Sequence, residues 1–139
     1  MKLMIQNARL AFATIFRPEA GQAGDEPAYS CSLILDPKVN AATIKSIDEA
    51  IEKVAKEKWG AKADAILKGI RAKGDLCLRS GDEKAEYDGF EGNMYVSARS
   101  KIRPTVLDRD KSPLTQDDGK PYSGCYVNAS IDIYAQDNS

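Results

Sequence analysis

The chain has 139 residues, a length that suits one domain with a single hydrophobic core. Its composition, 42% hydrophobic and 29% charged, is that of an ordinary soluble globular protein, and the sequence contains no internal repeat or low-complexity segment. No apolar run approaches the ~20 residues that a membrane helix needs. The N-terminus turns polar too soon for a signal peptide. We therefore expect a cytoplasmic protein with no membrane contact.

The sequence lacks the residue types on which most enzymes and metal sites depend. It contains no histidine, the commonest general base and the commonest zinc ligand. Cys31, Cys77 and Cys125 are far apart and form no CxxC pair, so we interpret them as small buried hydrophobes. Residues 108–113 resemble the start of a calcium loop but have Pro at the sixth position. We predict no enzymatic activity, no catalytic residue, no metal site and no cofactor.

The charges are segregated along the chain, although the net charge is only −1. Residues 94–111 carry five basic and two acidic side chains, whereas residues 76–93 carry two basic and five acidic ones. A local basic stretch can attract a polyanion even when the whole molecule is nearly neutral. The distribution of charge is therefore compatible with a nucleic-acid partner.

The first part of the chain predicts two strands. Residues 4–16 contain no Pro or Gly and predict a long strand, with a bulge where the alternation fails near Ala11 and Ala13. A loop with Pro and Gly follows over residues 17–27. Residues 28–35 alternate in polarity and predict a second strand.

A helical insertion follows these strands, over about residues 40–73. Asn40 is a suitable N-cap for a helix that continues to residue 60, because apolar residues then recur at helical spacing. A shorter helix is predicted over residues 62–72, ending at Gly74.

The second half of the chain predicts short strands separated by loops. The strands cover residues 76–78, 94–101, 105–107 and 126–134, and the long loops cover residues 80–93 and 108–123. Strands and helices do not alternate, which disfavours a doubly wound parallel sheet. The order predicts a mainly β fold with a helical insertion, a five-stranded, partly open barrel of OB type over residues 1–139. A plain α+β sandwich remains an alternative on pattern alone.

Two predicted strands carry tyrosine or basic residues on the face opposite their apolar residues. Aromatic rings that stack bases, together with cations that follow phosphates, are what a binding surface for single strands requires. The candidate nucleic-acid-binding residues include those of the two strands, two residues beside them and one residue of the first strand. They are Arg9, Tyr95, Arg99, Lys101, Arg103, Tyr122 and Tyr126. Tyrosine is also common on exposed sheet faces because it favours strands, so pattern alone does not choose between the two interpretations.

Several segments together indicate a family. They are residues 32–35 (SLIL), 58–60 (KWG), 79–83 (RSGDE), 93–98 (NMYVSA) and 122–131 (YSGCYVNASI). In this order and spacing, the chain resembles the small single-stranded-DNA-binding proteins of tailed bacteriophages over most of its length.

The resemblance implies an OB fold that coats and protects single strands during phage DNA replication or recombination, without sequence preference and without a cofactor. It also implies a homodimer in the host cytoplasm. Replication proteins would be recruited through a flexible acidic tail, which we expect to lie outside residues 1–139. Two other functions would use the same tyrosine-rich face. One is a protein-interaction or virion-accessory module, and the other is a strand-annealing recombination factor.

Overall fold

The computed structural model describes residues 1–20, 26–74 and 76–135. Within these ranges, one antiparallel sheet is formed by β1 (Lys2–Glu19), β2 (Ala28–Leu35), β3 (Leu78–Ser80), β4 (Met94–Ser100) and β5 (Tyr126–Asp132). Two helices, α1 (Ala41–Trp59) and α2 (Ala63–Lys73), occupy the predicted insertion between β2 and β3. No helix in the described part of the chain is both long and apolar enough to cross a membrane.

The strand order in the sheet is β3-β4-β2-β1-β5. β1 lies between β2 and β5, and β4 lies between β2 and β3, so β3 and β5 form the two edges. Among the described residues the two edge strands do not pair with each other, which leaves the barrel partly open. The predicted fold class is therefore confirmed.

The pairing of β1 with its two neighbours is interrupted by three register shifts. The register with β5 shifts between Ile5 and Ala8, and the register with β2 shifts between Ala11 and Thr14 and again between Thr14 and Glu19. Phe12, at the second shift, has a φ of 49°, a left-handed conformation that is uncommon for a non-glycine residue. The bulge predicted near Ala11 is confirmed.

The bounds of the first predicted elements need adjustment. β1 continues to Glu19, so the loop predicted over residues 17–27 begins later than expected. Residues 21–25 of that loop lie outside the described residues.

One face of the sheet packs on the helices and forms the main core. We call this the inner face. Its side chains alternate along the strands as predicted, and the helices contribute the predicted apolar stripe. The largest fully buried members of this core are Ile5, Leu33, Leu35, Ile47 and Val96. Burying one such side chain stabilises the fold by about 1.5–3 kcal/mol.

Asn40 holds the N-cap position of α1, as predicted, and its backbone carbonyl accepts from the N–H of Ile44 at 2.9 Å. The Asn40 side chain makes no cap hydrogen bond. It is buried, and its amide donates to the carbonyl oxygens of Gln6 and Asn7 at 3.2 and 3.3 Å. Its Oδ1 accepts from the backbone N–H of Asp36 at 2.9 Å. Asn40 therefore fastens the start of α1 to the first bulge of β1.

The other differences concern short strands. The strand predicted at residues 76–78 is displaced to β3, and β5 ends at Asp132 instead of residue 134. Residues 105–107 do not form a strand, because their region contains only an isolated bridge between Leu107 and Pro113. Prolines lack the N–H that a continuous ladder needs. Residues 101–121 instead form an irregular segment, which we call the arm.

Candidate nucleic-acid interface

An open cleft of about 1950 Å³ is lined by residues of β1, β2, β4 and β5, of both helices and of the arm. Among the described residues, the basic side chains that line it are Arg99, Lys101, Arg103, Arg109 and Lys120. The acidic residues in this lining are Asp108 and Asp132. Asp108 pairs with Lys120 at 2.8 Å, and Asp132 pairs with the N-terminal ammonium at 2.7 Å. The cleft is therefore positively charged.

The predicted cations Arg99, Lys101 and Arg103 lie in this cleft together, because β4 leads directly into the arm. The Arg99 guanidinium donates to the carbonyl oxygen of Glu26 at 3.1 Å. The Lys101 ammonium lies 2.6 Å from the Glu26 carboxylate, and the hydrogen bond and charge of Lys101 lower the pKa of Glu26. Among the described residues, the side chain of Arg103 has no ion-pair partner. Two of these cations are therefore held by Glu26, and the third is available to a ligand.

We expect Glu26→Gln to tighten binding of single-stranded DNA by about two- to fivefold, because an exposed ion pair is weak and competes only modestly with phosphates. The substitution removes a carboxylate that would compete with phosphates for Lys101. Fluorescence anisotropy with a labelled oligonucleotide measures the effect. Glu49→Gln, on the exposed side of α1, makes the same change in net charge away from the cleft. Equal tightening in both variants would show that Glu26 does not compete locally.

Two predicted tyrosines are exposed at the start of β5. Tyr126 is 70% exposed and lines the cleft, and Tyr122 is 62% exposed in the turn that precedes the strand. The turn is held against β1, because the N–H of Gly124 donates to the Leu10 carbonyl at 2.7 Å. Gly124 has a φ of 108°, which a side chain would strain. A hydrogen bond with the Cys125 thiol raises the pKa of Tyr122.

We expect Tyr126→Ala to lower the affinity for single strands of every sequence about tenfold, within the ~1–3 kcal/mol that one stacked base contributes. Binding of several homopolymeric oligonucleotides to the wild type and the variant gives the result. Tyr87→Ala is the matched control on oligonucleotides of about 8 nucleotides, which hold one protomer, because Tyr87 is an exposed tyrosine outside the cleft lining. A loss confined to one sequence would indicate specific base recognition instead of stacking.

The prediction that Tyr95 offers its ring to a base is wrong. Tyr95 is only 1% exposed. It does point away from the main core, as predicted, but residues 81–93 fold over this outer face of the sheet. Phe90 from that loop packs on the Tyr95 ring at 5.3 Å, and the Tyr95 hydroxyl donates to Glu83 at 3.4 Å. Tyr95 therefore belongs to a second, smaller core.

Arg9 lies on the same outer face and outside the cleft lining. Its guanidinium pairs with Asp88 at 3.0 Å, and Tyr126 is its register partner on β5. Arg9 therefore holds the loop of residues 81–93 to β1, and its contact with nucleic acid stays a prediction.

Sequence reasoning missed several residues that the fold brings to the cleft. Arg109 belongs to the basic stretch that the charge distribution identified, but Lys120 lies in an acidic part of the sequence. The ion pair between Lys120 and Asp108 closes the arm and places both residues at the cleft. Tyr29 and Tyr134 also line it. No group of three or more metal-ligating side chains occurs among residues 1–20, 26–74 and 76–135.

A partly open antiparallel barrel with a cationic cleft and exposed tyrosines is the arrangement of small β-barrel domains that bind nucleic-acid strands. The family described as Enterobacter phage Enc34, ssDNA-binding protein, matches residues 1–139. The chain belongs to this family, which confirms the resemblance drawn from its sequence.

Known proteins resemble this chain in sequence and in structure. Protein p50 of Acyrthosiphon pisum secondary endosymbiont phage 1 is 44% identical over 141 residues, which cover 100% of this chain and 76% of that protein. The single-stranded DNA-binding protein from bacteriophage Enc34, solved in complex with ssDNA, has a TM-score of 0.80 and 26% identity. That match covers 99% of this chain and 76% of the Enc34 chain. The bacteriophage T7 protein gp2.5 (TM-score 0.54, 14% identity, coverage of 94% and 71%) shares the fold.

Proposed function

We propose that this protein binds single-stranded DNA in the cationic cleft and coats it without sequence preference during phage DNA replication or recombination. The observation that carries the proposal is that Arg99, Lys101, Arg103 and Tyr126 line one open cleft. The Enc34 protein, which shares the fold over nearly the whole chain, was solved in complex with ssDNA, and this supports the same ligand here. Cations contact phosphates of any sequence, and a tyrosine stacks on any base.

In this proposal Arg99, Lys101 and Arg103 follow the phosphates, while Tyr122 and Tyr126 stack bases. Arg9 extends the contact along β1 beside Tyr126, its register partner. A bound strand carries many phosphates. These replace Glu26 as the partner of Arg99 and Lys101. The protein protects DNA by covering it and carries out no reaction on it.

The finer parts of the proposal concern assembly and place of action. We propose a homodimer that acts in the cytoplasm of the host cell. Sedimentation equilibrium at several concentrations tests the dimer, which has twice the mass of one chain; the mass of a single chain at every concentration would contradict it.

A gel-shift series with single-stranded DNA, duplex DNA and RNA, at two salt concentrations, tests the function. We expect tight binding to single-stranded DNA that weakens with salt, with a slope of about 0.7 for each phosphate neutralised. Oligomerisation with no affinity for any nucleic acid would contradict the proposal and favour an interaction module. Accelerated pairing of complementary strands in the same mixtures would identify a strand-annealing factor.

A further inference from the structure

The outer face carries an exposed aromatic pair that the cleft does not use. Phe12 and Tyr87 are 44% and 47% exposed, and their rings meet edge to face with centroids 5.0 Å apart. Both rings rest on Phe90, which is buried. Phe12 holds its exposed position despite its φ of 49°. Such a conformation costs about 1–3 kcal/mol and persists only where the surrounding structure enforces it. We use the name aromatic patch for Phe12, Tyr87 and the acidic residues of the same loop, which are Asp82, Glu83, Glu86, Asp88 and Glu91.

The aromatic patch is negatively charged. Residues 82–91 contain five acidic side chains and one basic side chain, Lys84, which lies 5.2 Å from the Phe12 ring. Asp88 is neutralised by Arg9, but Glu86 and Glu91 are exposed and have no ion-pair partner among the described residues. A surface of this charge repels phosphates. A cationic protein surface therefore suits this patch better than the DNA strand does.

The same chain carries a surface of the opposite kind on the exposed side of α2. Residues 62–73 contain four basic side chains and one acidic side chain, and all five are exposed. The basic residues are Lys62, Lys68, Arg71 and Lys73. Among the described residues they have no ion-pair partner. Between them the helix exposes small residues, which are Ala65, Gly69 and Ala72. This α2 face is therefore cationic, with small residues between its long basic side chains.

We propose that the aromatic patch of one protomer binds the α2 face of a second copy of this chain. Their charges are opposite, and the exposed rings of Phe12 and Tyr87 can rest on the small residues of α2. Rings and carboxylates are suitable partners for Lys68 and Arg71, through cation–π contacts and ion pairs. The contact is weak for free protomers and becomes effective when DNA holds neighbours side by side.

This contact is head to tail, because each copy uses two different surfaces. In a two-fold dimer, by contrast, both copies use the same surface. A head-to-tail contact can repeat from protomer to protomer along a DNA strand and form an open chain of protomers. The inference rests on the proposed function, since the strand supplies the alignment. Proteins that coat single strands commonly bind them cooperatively. The contact between the aromatic patch and the α2 face would be the source of that cooperative binding.

Two charge-reversal variants test the contact. The first, Glu86→Lys with Glu91→Lys, reverses the aromatic patch, and the second, Lys68→Glu with Arg71→Glu, reverses the α2 face. Each is compared on an oligonucleotide of about 8 nucleotides, within the ~4–16 that one OB fold covers, and on one of about 60 nucleotides. The measured quantity is the ratio of apparent affinity per protomer on the long and the short oligonucleotide. The ratio removes the effect of net charge on DNA affinity itself.

For the wild type we expect a ratio of about ten or more, and for each variant alone a ratio near one. Both substitution pairs in one chain, or a 1:1 mixture of the two variants, should restore the ratio, because opposite charges again face each other. Glu49→Lys with Glu52→Lys, on exposed α1, makes the same change in charge as the first variant and should leave the ratio unchanged. Circular dichroism confirms that each variant is folded.

Three results would overturn the inference. One is a wild-type ratio near one, and another is a failure of the mixture and of the combined variant to restore the ratio. The third is a loss of about tenfold or more on the short oligonucleotide in the second variant alone, which would place α2 on the DNA. Absence of wild-type binding to the short oligonucleotide would instead contradict the proposed function, so the two failures are distinguishable.

Discussion

Replacing Arg99, Lys101 and Arg103 together by alanine should reduce the affinity for single-stranded DNA roughly hundredfold, since each lost charged contact costs about 1 kcal/mol. The three side chains line one cleft and are the cations that we assign to the phosphates. The salt dependence should also flatten, by about 2 in the slope of log affinity against log salt for three phosphates at ~0.7 each. Anisotropy titrations over a range of salt concentrations measure both quantities.

The control for this variant carries three alanine substitutions on the exposed side of α1, at Lys45, Lys53 and Lys56. It removes the same number of positive charges without touching the cleft lining. We expect its affinity to fall by less than about threefold and its salt slope to stay unchanged. Equal losses in both triple variants would mean that net charge, and not the cleft, determines binding.

Replacing Tyr95 by alanine should destabilise the protein by about 3–5 kcal/mol, the usual cost of removing a buried aromatic ring. Tyr95 fills the second core against Phe90 and Ile34, and its loss leaves a cavity under the loop of residues 81–93. Urea unfolding gives the change in the free energy of unfolding. The same experiment on Tyr95→Phe should show a loss below about 1 kcal/mol, because only the 3.4 Å hydrogen bond to Glu83 is removed.

A role of Tyr95 in stacking would give the opposite result. Tyr95→Ala would then keep the stability of the wild type and lose affinity for DNA. A folded Tyr95→Ala variant with normal stability would therefore contradict the burial of this ring, whatever its affinity.

The regular elements were predictable because they depend on local pattern. Alternation over residues 28–35 and 126–132 reports which side of a strand meets the core, and the apolar stripe of α1 does the same for a helix. The bulge near Ala11 was visible as a break in that alternation. The strand predicted at residues 105–107 does not form, because three strand-favouring residues are too few to offset the prolines around them.

The status of the outer face could not be predicted in the same way. Alternation places Tyr95 opposite the main core, but it does not say whether a loop covers that side. Tyr87 and Phe90, in a loop of otherwise polar residues, were the available signal, since large rings in such a loop need a surface on which to pack. Asn40 likewise fitted an N-cap by position, while its partners on β1 are more than thirty residues away in sequence.

The site was predictable in part for a related reason. Arg99, Lys101 and Arg103 lie at every second position of one short segment, so they remain close together in the structure. Lys120 reaches the same cleft only through the fold of the arm, which its pair with Asp108 closes. Charge counted along the sequence cannot reveal such a contact.

Lysine acetylation followed by mass spectrometry tests most directly whether single-stranded DNA lies in the cationic cleft. With a short oligonucleotide at about ten times its Kd, occupancy should slow the acetylation of Lys101 and Lys120 roughly tenfold. Lys45 and Lys53, on the exposed side of α1, should react at nearly the same rate with and without DNA. Protection of these α1 lysines with unchanged reactivity at Lys101 and Lys120 would contradict the account.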